Sequence, residues 1–316
     1  LPIQYLDYAV WQRQWLAEGE QARQLAYWTA KLGGEQPVLE LPTDRPRPAA
    51  QSYRGARHAL HLAPALADGL RQLAQREQVT LFMLLLASFQ ALLHRYSGQA
   101  DIRVGVPIAN RTRLETEGVV GFFVNTQVLK AEVDGQASFQ ALLAQVRQAA
   151  LEAQAHQDLP FEQLVEALQP ERSLSHSPLF QVMFNHQRVA AAMAAPHGLQ
   201  VEALGWDSHS TQFDLSLNTF EGEQGLSASL VYATDLFDAA SIERLGAHWQ
   251  QLLQGLVADV QAPLGQLALL APAEREQALN GWNATGRDYN LALSVPQRFE
   301  AQVAATPQAP ALAFAG

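Results

Sequence analysis

The groups in this chain that could move protons are its histidines and carboxylates, and their spacing does not pair them for that work. None of the nine histidines has an aspartate four residues on, and no two are adjacent. The acidic residues are dispersed rather than set in pairs for general acid–base chemistry. There is no cysteine, so thiolate nucleophiles, disulfides and Cys-based metal sites are excluded and no metal site is expected. A P-loop, a G-x-G-x-x-G turn, a G-x-S-x-G elbow and an H-E-x-x-H pair are absent as well. A few polar clusters remain. Asn125 and Thr126 close an apolar run, where polar side chains must be partnered as a lining or as caps. Just before them, Gly121 permits close backbone approach and Phe122 offers apolar area, while Phe123 and Val124 read as core. His156-Gln157 precedes Pro160-Phe161, where the end of a helix explains the residues as well as a substrate contact does. Asp214 reads as a structural acceptor at the start of a strand pair, and Asp7 and Trp11 read as anchors.

The elements that must position these residues alternate between helix and strand, without internal repeats. Residues 5–32 carry Tyr8, Trp11, Trp15, Leu25, Trp28 and Leu32 at helical steps, broken at Gly19. The proline-rich stretch LPTDRPRPAA at 41–50 must be extended. A strand is expected at 53–62, a helix begun by Pro64 at 64–77, and a strongly apolar helix at 81–96 between Thr80 and Gly98. Strands follow at 102–108 and 121–129. Ser138 caps a helix from 139 to about 155, and a short helix covers 162–168. Residues 179–185, 199–205, 212–220 and 226–232 read as strands, 189–198 as a mobile loop, and 239–259 as a helix capped by Asp238. Residues 271–294 read as a linker, 296–303 as a helix, and 311–314 as a new strand.

Composition sets the outer limits. A net charge of −10 leaves no basic stripe for a nucleic-acid backbone. The most apolar segment, Val79 to Leu93, falls short of the roughly 20 residues that span a bilayer, so no membrane is expected. With no signal peptide and no cysteine, a cytoplasmic location is the expectation. The chain has no initiator methionine and stops inside a strand-like ALAFAG, so both ends read as cut.

Several segments resemble the ordered core motifs of nonribosomal peptide synthetase condensation domains. Tyr5-Leu6-Asp7-Tyr8-Ala9-Val10-Trp11 is similar to the fourth motif, Y-x-D-[FY]-A-V-W. Val120 to Gln127, VGFFVNTQ, is similar to the fifth, G-x-F-V-N-T. His156 to Glu162, HQDLPFE, is similar to the sixth, and Ser177 to Phe184, SPLFQVMF, to the seventh. LPTDRPRP at 41–48 and Gln212-Phe213-Asp214-Leu215 match further expected stretches. The PQRFEAQVAATPQAPALAF stretch resembles the start of an adenylation domain.

The resemblance implies an α/β fold: a chloramphenicol acetyltransferase-like lobe with a mixed sheet flanked by helices, the C-terminal half of a two-lobed condensation domain. It implies that residues 1–270 belong to condensation, 271–294 to a linker and 295–316 to adenylation. The implied reaction joins two carrier-bound thioesters through an amide bond, in a tunnel between the lobes. No cofactor is bound directly; the substrates ride on the phosphopantetheine of upstream donor and downstream acceptor carrier domains. The partners implied are those carriers, the adjacent adenylation domain and the N-terminal condensation lobe. Gly121, Phe122, Asn125 and Thr126 are expected to line the tunnel, and Asn110 to Arg113, including Arg111, to floor it. Tyr5, Asp7, Trp11, His156, Gln157, Pro160, Phe161, Pro178 and Asp214 are expected to hold the motifs in place. The histidine of the third motif, H-H-x-x-x-D-G, should lie upstream of Tyr5, so these residues alone are expected to be inactive, and exposed Tyr8, Trp11 and Trp15 to favour self-association. A platform that docks carrier and adenylation domains without turnover, and an epimerization-type relative, are the alternative readings.

Overall fold

The computed structural model describes residues 3–171, 173–189, 209–222, 225–287 and 292–314. The loop expected at 189–198 (save Val189) and the strand at 199–205 lie outside the described residues. The chain divides into two compact units, Leu1–Ala271 and Pro272–Gly316.

The first unit is built on a six-stranded mixed sheet in the order β1-β6-β5-β4-β2-β3. The strands are β1 (Gly55–His61), β2 (Asp101–Ile108), β3 (Asn125–Glu132), β4 (Val182–Arg188), β5 (Leu215–Gly222) and β6 (Gly225–Ala233). β4 runs parallel to both β2 and β5, and the other pairs are antiparallel. Because successive side chains alternate between faces, the register separates a core row from an outer one. Ala56, Tyr232, Leu215, Val182, Val104 and Leu129 stand side by side on one face. On the other, Arg57, Val231, Ser216, Met183 and Gly105 line up.

The apolar face is covered by α3 (Pro64–Arg76), α4 (Leu81–Ser97), α6 (Phe139–Gln154) and α8 (Ala239–Ala258). α4 is the centre of the core. Leu84, Leu85, Leu86, Ala87, Phe89 and Leu93 are fully buried, as a helix apolar all round must be. Its ends carry the caps expected from sequence: the Thr80 hydroxyl accepts from Met83 N at 3.2 Å, and Gly98 takes φ 72°. Asp238 starts α8 but does not cap it with its own side chain. Asp44, from the proline-rich stretch, accepts from Asp238 N and from the Ser241 hydroxyl instead, and Asp238 pairs with Arg45.

α1 (Tyr5–Trp15) and α2 (Gln21–Leu32) are separate helices joined across a kink at Gly19, whose φ of 113° a residue with a side chain would adopt only at a cost. The strand expected from Gly121 begins only at Asn125: Phe122 is 76% exposed and Val124 is half exposed, so no sheet face receives them. Likewise β4 starts at Val182, after the SPLF turn. In the second unit, α9 (Pro272–Glu276) and a further turn to Gly281 occupy what reads as linker. α10 (Val295–Ala305) opens with a Ser294–Gln297 capping box. Residues 311–314 form no strand.

Candidate functional site

The segment from His156 to Pro160, which leads into helix α7 (Phe161–Leu168), is irregular, and its backbone groups are satisfied by side chains reaching in from other elements, as a non-helical stretch in a packed region requires. Arg23 donates to Ala155 O at 3.0 Å, Trp28 Nε1 to His156 O at 2.8 Å, and Gln24 Oε1 accepts from Leu159 N at 2.7 Å. Asn125 completes the set from β3. Its amide nitrogen donates to Gln157 O (3.0 Å) and Leu159 O (2.8 Å), and its oxygen accepts from Thr126 N (2.9 Å) and Phe161 N (3.1 Å). Asn125 therefore ties the fifth-motif segment to the sixth.

His156 stacks on Tyr27 with ring centroids 4.0 Å apart. Its Nδ1 lies 2.8 Å from Glu152 O, which can only accept, and its Nε2 lies 2.9 Å from an Arg23 guanidinium nitrogen, which can only donate. These two contacts match the tautomer that carries its proton on Nδ1. Two carboxyls beside it are pushed in opposite directions. The hydrogen bond from Arg23 brings Glu20 down to about 2, whereas burial pushes Asp158 above its usual range.

Residues 110–124 form a loop, interrupted by the one-turn helix α5 (Leu114–Glu117), that is cinched by Arg111. Its guanidinium donates to the carbonyls of Thr116, Val119 (2.9 Å) and Gly121 (3.3 Å), and it lies over the Phe123 ring, 4.1 Å from the centroid. Phe123 and Val119 are buried with Tyr8 in a small core separate from the main one. Tyr5 donates its hydroxyl to Phe122 O at 2.7 Å, and Arg113 lies over Trp11. Asp7 accepts from Gln4 N, closing the cap of α1. At Gly121 a Cβ would lie 2.2 Å from the Tyr5 ring, so the close approach that this glycine permits is to Tyr5.

A cavity of about 730 Å³ opens on the Gly105 face of the sheet. Phe161, Phe180 and Phe213 wall it, their rings in sequence at 5.6 and 5.3 Å. Gln51, Tyr53, Thr126, Ser177, Pro178 and residues 210–212 complete the lining. A Cβ on Gly105 would lie 2.2 Å from the Phe180 ring, so this glycine is what lets Phe180 lie on the sheet. Two residues beside the cavity have positive φ without being glycine: Tyr53 (59°) and Leu179 (65°). At Leu179 the chain closes a γ-turn, with Phe180 N donating to Pro178 O at 2.8 Å. A smaller cavity of about 20 Å³ shares Gln51, Tyr53, Thr211 and Phe213 with the large one and is lined by the charged residues Arg47, Arg54, Asp214 and Asp235. Asp214, 4% exposed, takes two hydrogen bonds from the Arg47 guanidinium, which also donates to Ser175 O. This fork is the bidentate geometry that matches guanidinium to carboxylate.

Of the four residues expected to line a tunnel, only Thr126 borders this cavity. Phe122 points to solvent, Gly121 meets Tyr5, and Asn125 faces the His156–Phe161 segment. Phe161 and Pro178, expected as structural, do line it. Arg47, Tyr53 and Phe213, not among the expected site residues, also line the two cavities; an arginine between two prolines in LPTDRPRP and a phenylalanine next to Asp214 are the signals the sequence carries for two of them. Among the described residues, no group of three or more His, Asp or Glu is placed to hold a metal, and no single helix is long and apolar enough to cross a membrane.

Comparison with known proteins places this geometry. Residues 1–279 match the family described as Condensation domain. The chain is 50% identical over 287 residues to a linear gramicidin synthase of Brevibacillus parabrevis, covering 90% of this chain and 4% of that protein. It is 38% identical over 316 residues to surfactin synthase subunit 1 of Bacillus subtilis (strain 168), covering all of this chain and 9% of that one. The chain thus spans a small part of the synthetases it matches. Among solved structures, the X-domain from teicoplanin biosynthesis superposes with a TM-score of 0.76 at 28% identity, over 85% of this chain and 62% of that one. A four-domain nonribosomal peptide synthetase bound to AMP and glycine superposes at 0.71 and 27% identity, over 80% of this chain and 20% of that one. The fold is that of the chloramphenicol acetyltransferase-like lobe, and the chain belongs to the condensation-domain family of nonribosomal peptide synthetases.

Proposed function

We propose that residues 1–270 are the C-terminal part of a condensation domain that joins two carrier-bound substrates through an amide bond. The observation that carries this reading is the large aromatic-walled cavity bordered by the fifth-, sixth- and seventh-motif residues Thr126, Phe161 and Pro178. In the proposed reaction the amine nitrogen of an acceptor aminoacyl thioester attacks the carbonyl carbon of a donor thioester. The C–S bond breaks, and the amine proton is relayed by a histidine on the N-terminal lobe to the departing sulfur, so that the donor arm leaves as a thiol and the histidine returns to its starting state. Holding amine and thioester in register removes most of the entropic barrier, so this lobe contributes as a wall that positions. Residues 271–294 then serve as a linker, and 295–316 as the beginning of an adenylation domain.

No H-H-x-x-x-D-G sequence occurs in the 316 residues, so by themselves they are proposed to be inactive. The test compares residues 1–316 with the full-length synthetase that contains them, each mixed with loaded donor and acceptor carriers, and follows the amide product by mass spectrometry. Product from the synthetase alone supports the reading. Turnover by residues 1–316 at the synthetase rate would overturn the placement of the base. A second reading, a non-catalytic docking platform, is favoured by one observation: the X-domain from teicoplanin biosynthesis, whose fold this chain shares, has a solved structure in complex with OxyB. A synthetase that forms no amide yet binds its carriers would select this alternative.

A further inference from the structure

We propose that the cavity walled by Phe161, Phe180 and Phe213 receives the side chain of an uncharged, apolar or aromatic carrier-bound substrate, and that Tyr53 at its edge sets that preference. The proposal rests on the condensation reading above and adds the substrate class. Its first support is the chemistry of the lining. Among the described residues, no Asp, Glu, Lys, Arg or His borders the cavity; its polar groups are amides and hydroxyls, such as Gln51, Ser177 and Thr211. The charges of the adjoining smaller cavity are paired with each other, Arg47 with Asp214 and Arg54 with Asp235. A charged side chain entering here would lose its hydration and meet no counter-ion, whereas an apolar one exchanges water for ring faces. Amides and hydroxyls among apolar walls are the mixture that orients an uncharged ligand with amide groups, and about 730 Å³ is room for one.

Tyr53 is singled out by its backbone. Its φ of 59° is a conformation that Gly, Asn and Asp adopt readily and a bulky aromatic does not. The neighbouring segment holds it there: Tyr53 O accepts from Thr211 N at 2.9 Å, Arg54 bridges to Ser210, and Gly55 N donates to His209 O at 2.8 Å. The ring gains little burial in return, since the residue is 57% exposed. A strained backbone that presents an exposed aromatic ring at a cavity has no folding rationale, and such outliers gather at ligand sites. A second positive-φ position, Leu179, is itself buried in the core, and its γ-turn sets Pro178 and Phe180 against the cavity.

The backbone also supplies a clean variant. Tyr53→Gly removes the ring while accepting φ 59° without strain, so the melting temperature should not fall. In the full-length synthetase, phenylalanyl, leucyl, aspartyl and lysyl groups would compete on the acceptor carrier against a fixed donor, and then on the donor carrier against a fixed acceptor. The expected result is at least a tenfold preference for the uncharged pair on one of the two sides, reduced severalfold in Tyr53→Gly and retained in Tyr53→Phe. Calorimetric titration of the same proteins with phenylalanyl- and aspartyl-aminopantetheine reads the cavity independently of turnover. Amide formation with equal use of charged and uncharged groups, or a preference untouched in Tyr53→Gly, would overturn the proposal and leave the condensation reading standing. Preferential binding of the phenylalanyl probe without any amide formation would do the reverse.

Discussion

Asn125 uses both amide hydrogens and both lone pairs of its oxygen within the protein. Asn125→Ala strands the carbonyls of Gln157 and Leu159 and the amide of Phe161. The expected cost is about 1–3 kcal/mol of stability, read as a lower midpoint in urea at unchanged slope. An unchanged midpoint with slowed amide formation would instead place Asn125 in the tunnel. The carboxyl beside the same segment gives a pH signature. Glu20 is stabilised in its charged form by Arg23, so its contribution is full above the ordinary value of 4.5 and is lost as pH falls toward about 2. Acid titration of unfolding should show that loss in the native chain and not in Glu20→Gln. Asp158 acts with the opposite sign: burial raises its pKa, so the folded state favours the neutral acid, and ionising it lowers stability as pH rises.

At the scale of elements, α1 and the 110–124 loop share a core of their own, centred on Tyr8, Val119 and Phe123. Their link depends on Gly121 leaving space for the Tyr5 ring. Gly121→Ala should displace that ring, break its hydrogen bond to Phe122 O, and cost about 1–3 kcal/mol, as overpacking typically does. In a Tyr5→Ala background the same substitution no longer meets that ring, so the two changes should be non-additive in a double-mutant cycle of thermal unfolding. Additive losses would show that Gly121 is constrained by something other than Tyr5. A similar close approach, Gly105 beneath Phe180, joins the sheet to the cavity wall. In both places the glycine is explained by an aromatic ring of the same chain.

For the molecule as a whole, the two units differ in how they are held. The first buries a continuous core from Trp28 to Leu267, whereas none of the described helices of the second buries a residue. Phe299, Val303, Leu312 and Phe314 stand exposed, and ordering each residue costs about 1–2 kcal/mol of backbone entropy with little burial to offset it. Limited proteolysis should therefore cut first within 272–314 and leave a resistant product ending near Ala271; protection through Phe314 would contradict this.

The sequence by itself determined most of the elements, because their signals are local. Thr80 and Gly98 bound α4 through caps, Ser138 opens α6, and Gly19 breaks the first helical run, each by a conformational preference that operates within one turn. The ordered motifs identified the family for a different reason: they are chemically distinctive stretches that need no geometry to be read. What only the tertiary structure decided is where side chains meet across distance. VGFFVNT reads as one apolar strand, yet Phe122 faces water while Phe123 is buried, because Arg111 and Tyr5 claim the loop before β3 begins. Asp214 was legible as an acceptor, but its donor, Arg47, lies far away in the chain, and no periodicity couples the two. Tyr53 and Phe213 acquire a shared cavity only because β1 and β5 are both hydrogen-bonded to β6. Local preferences are written residue by residue; a cavity is a property of chain segments brought together, and burial of the sheet's apolar face is what brings them.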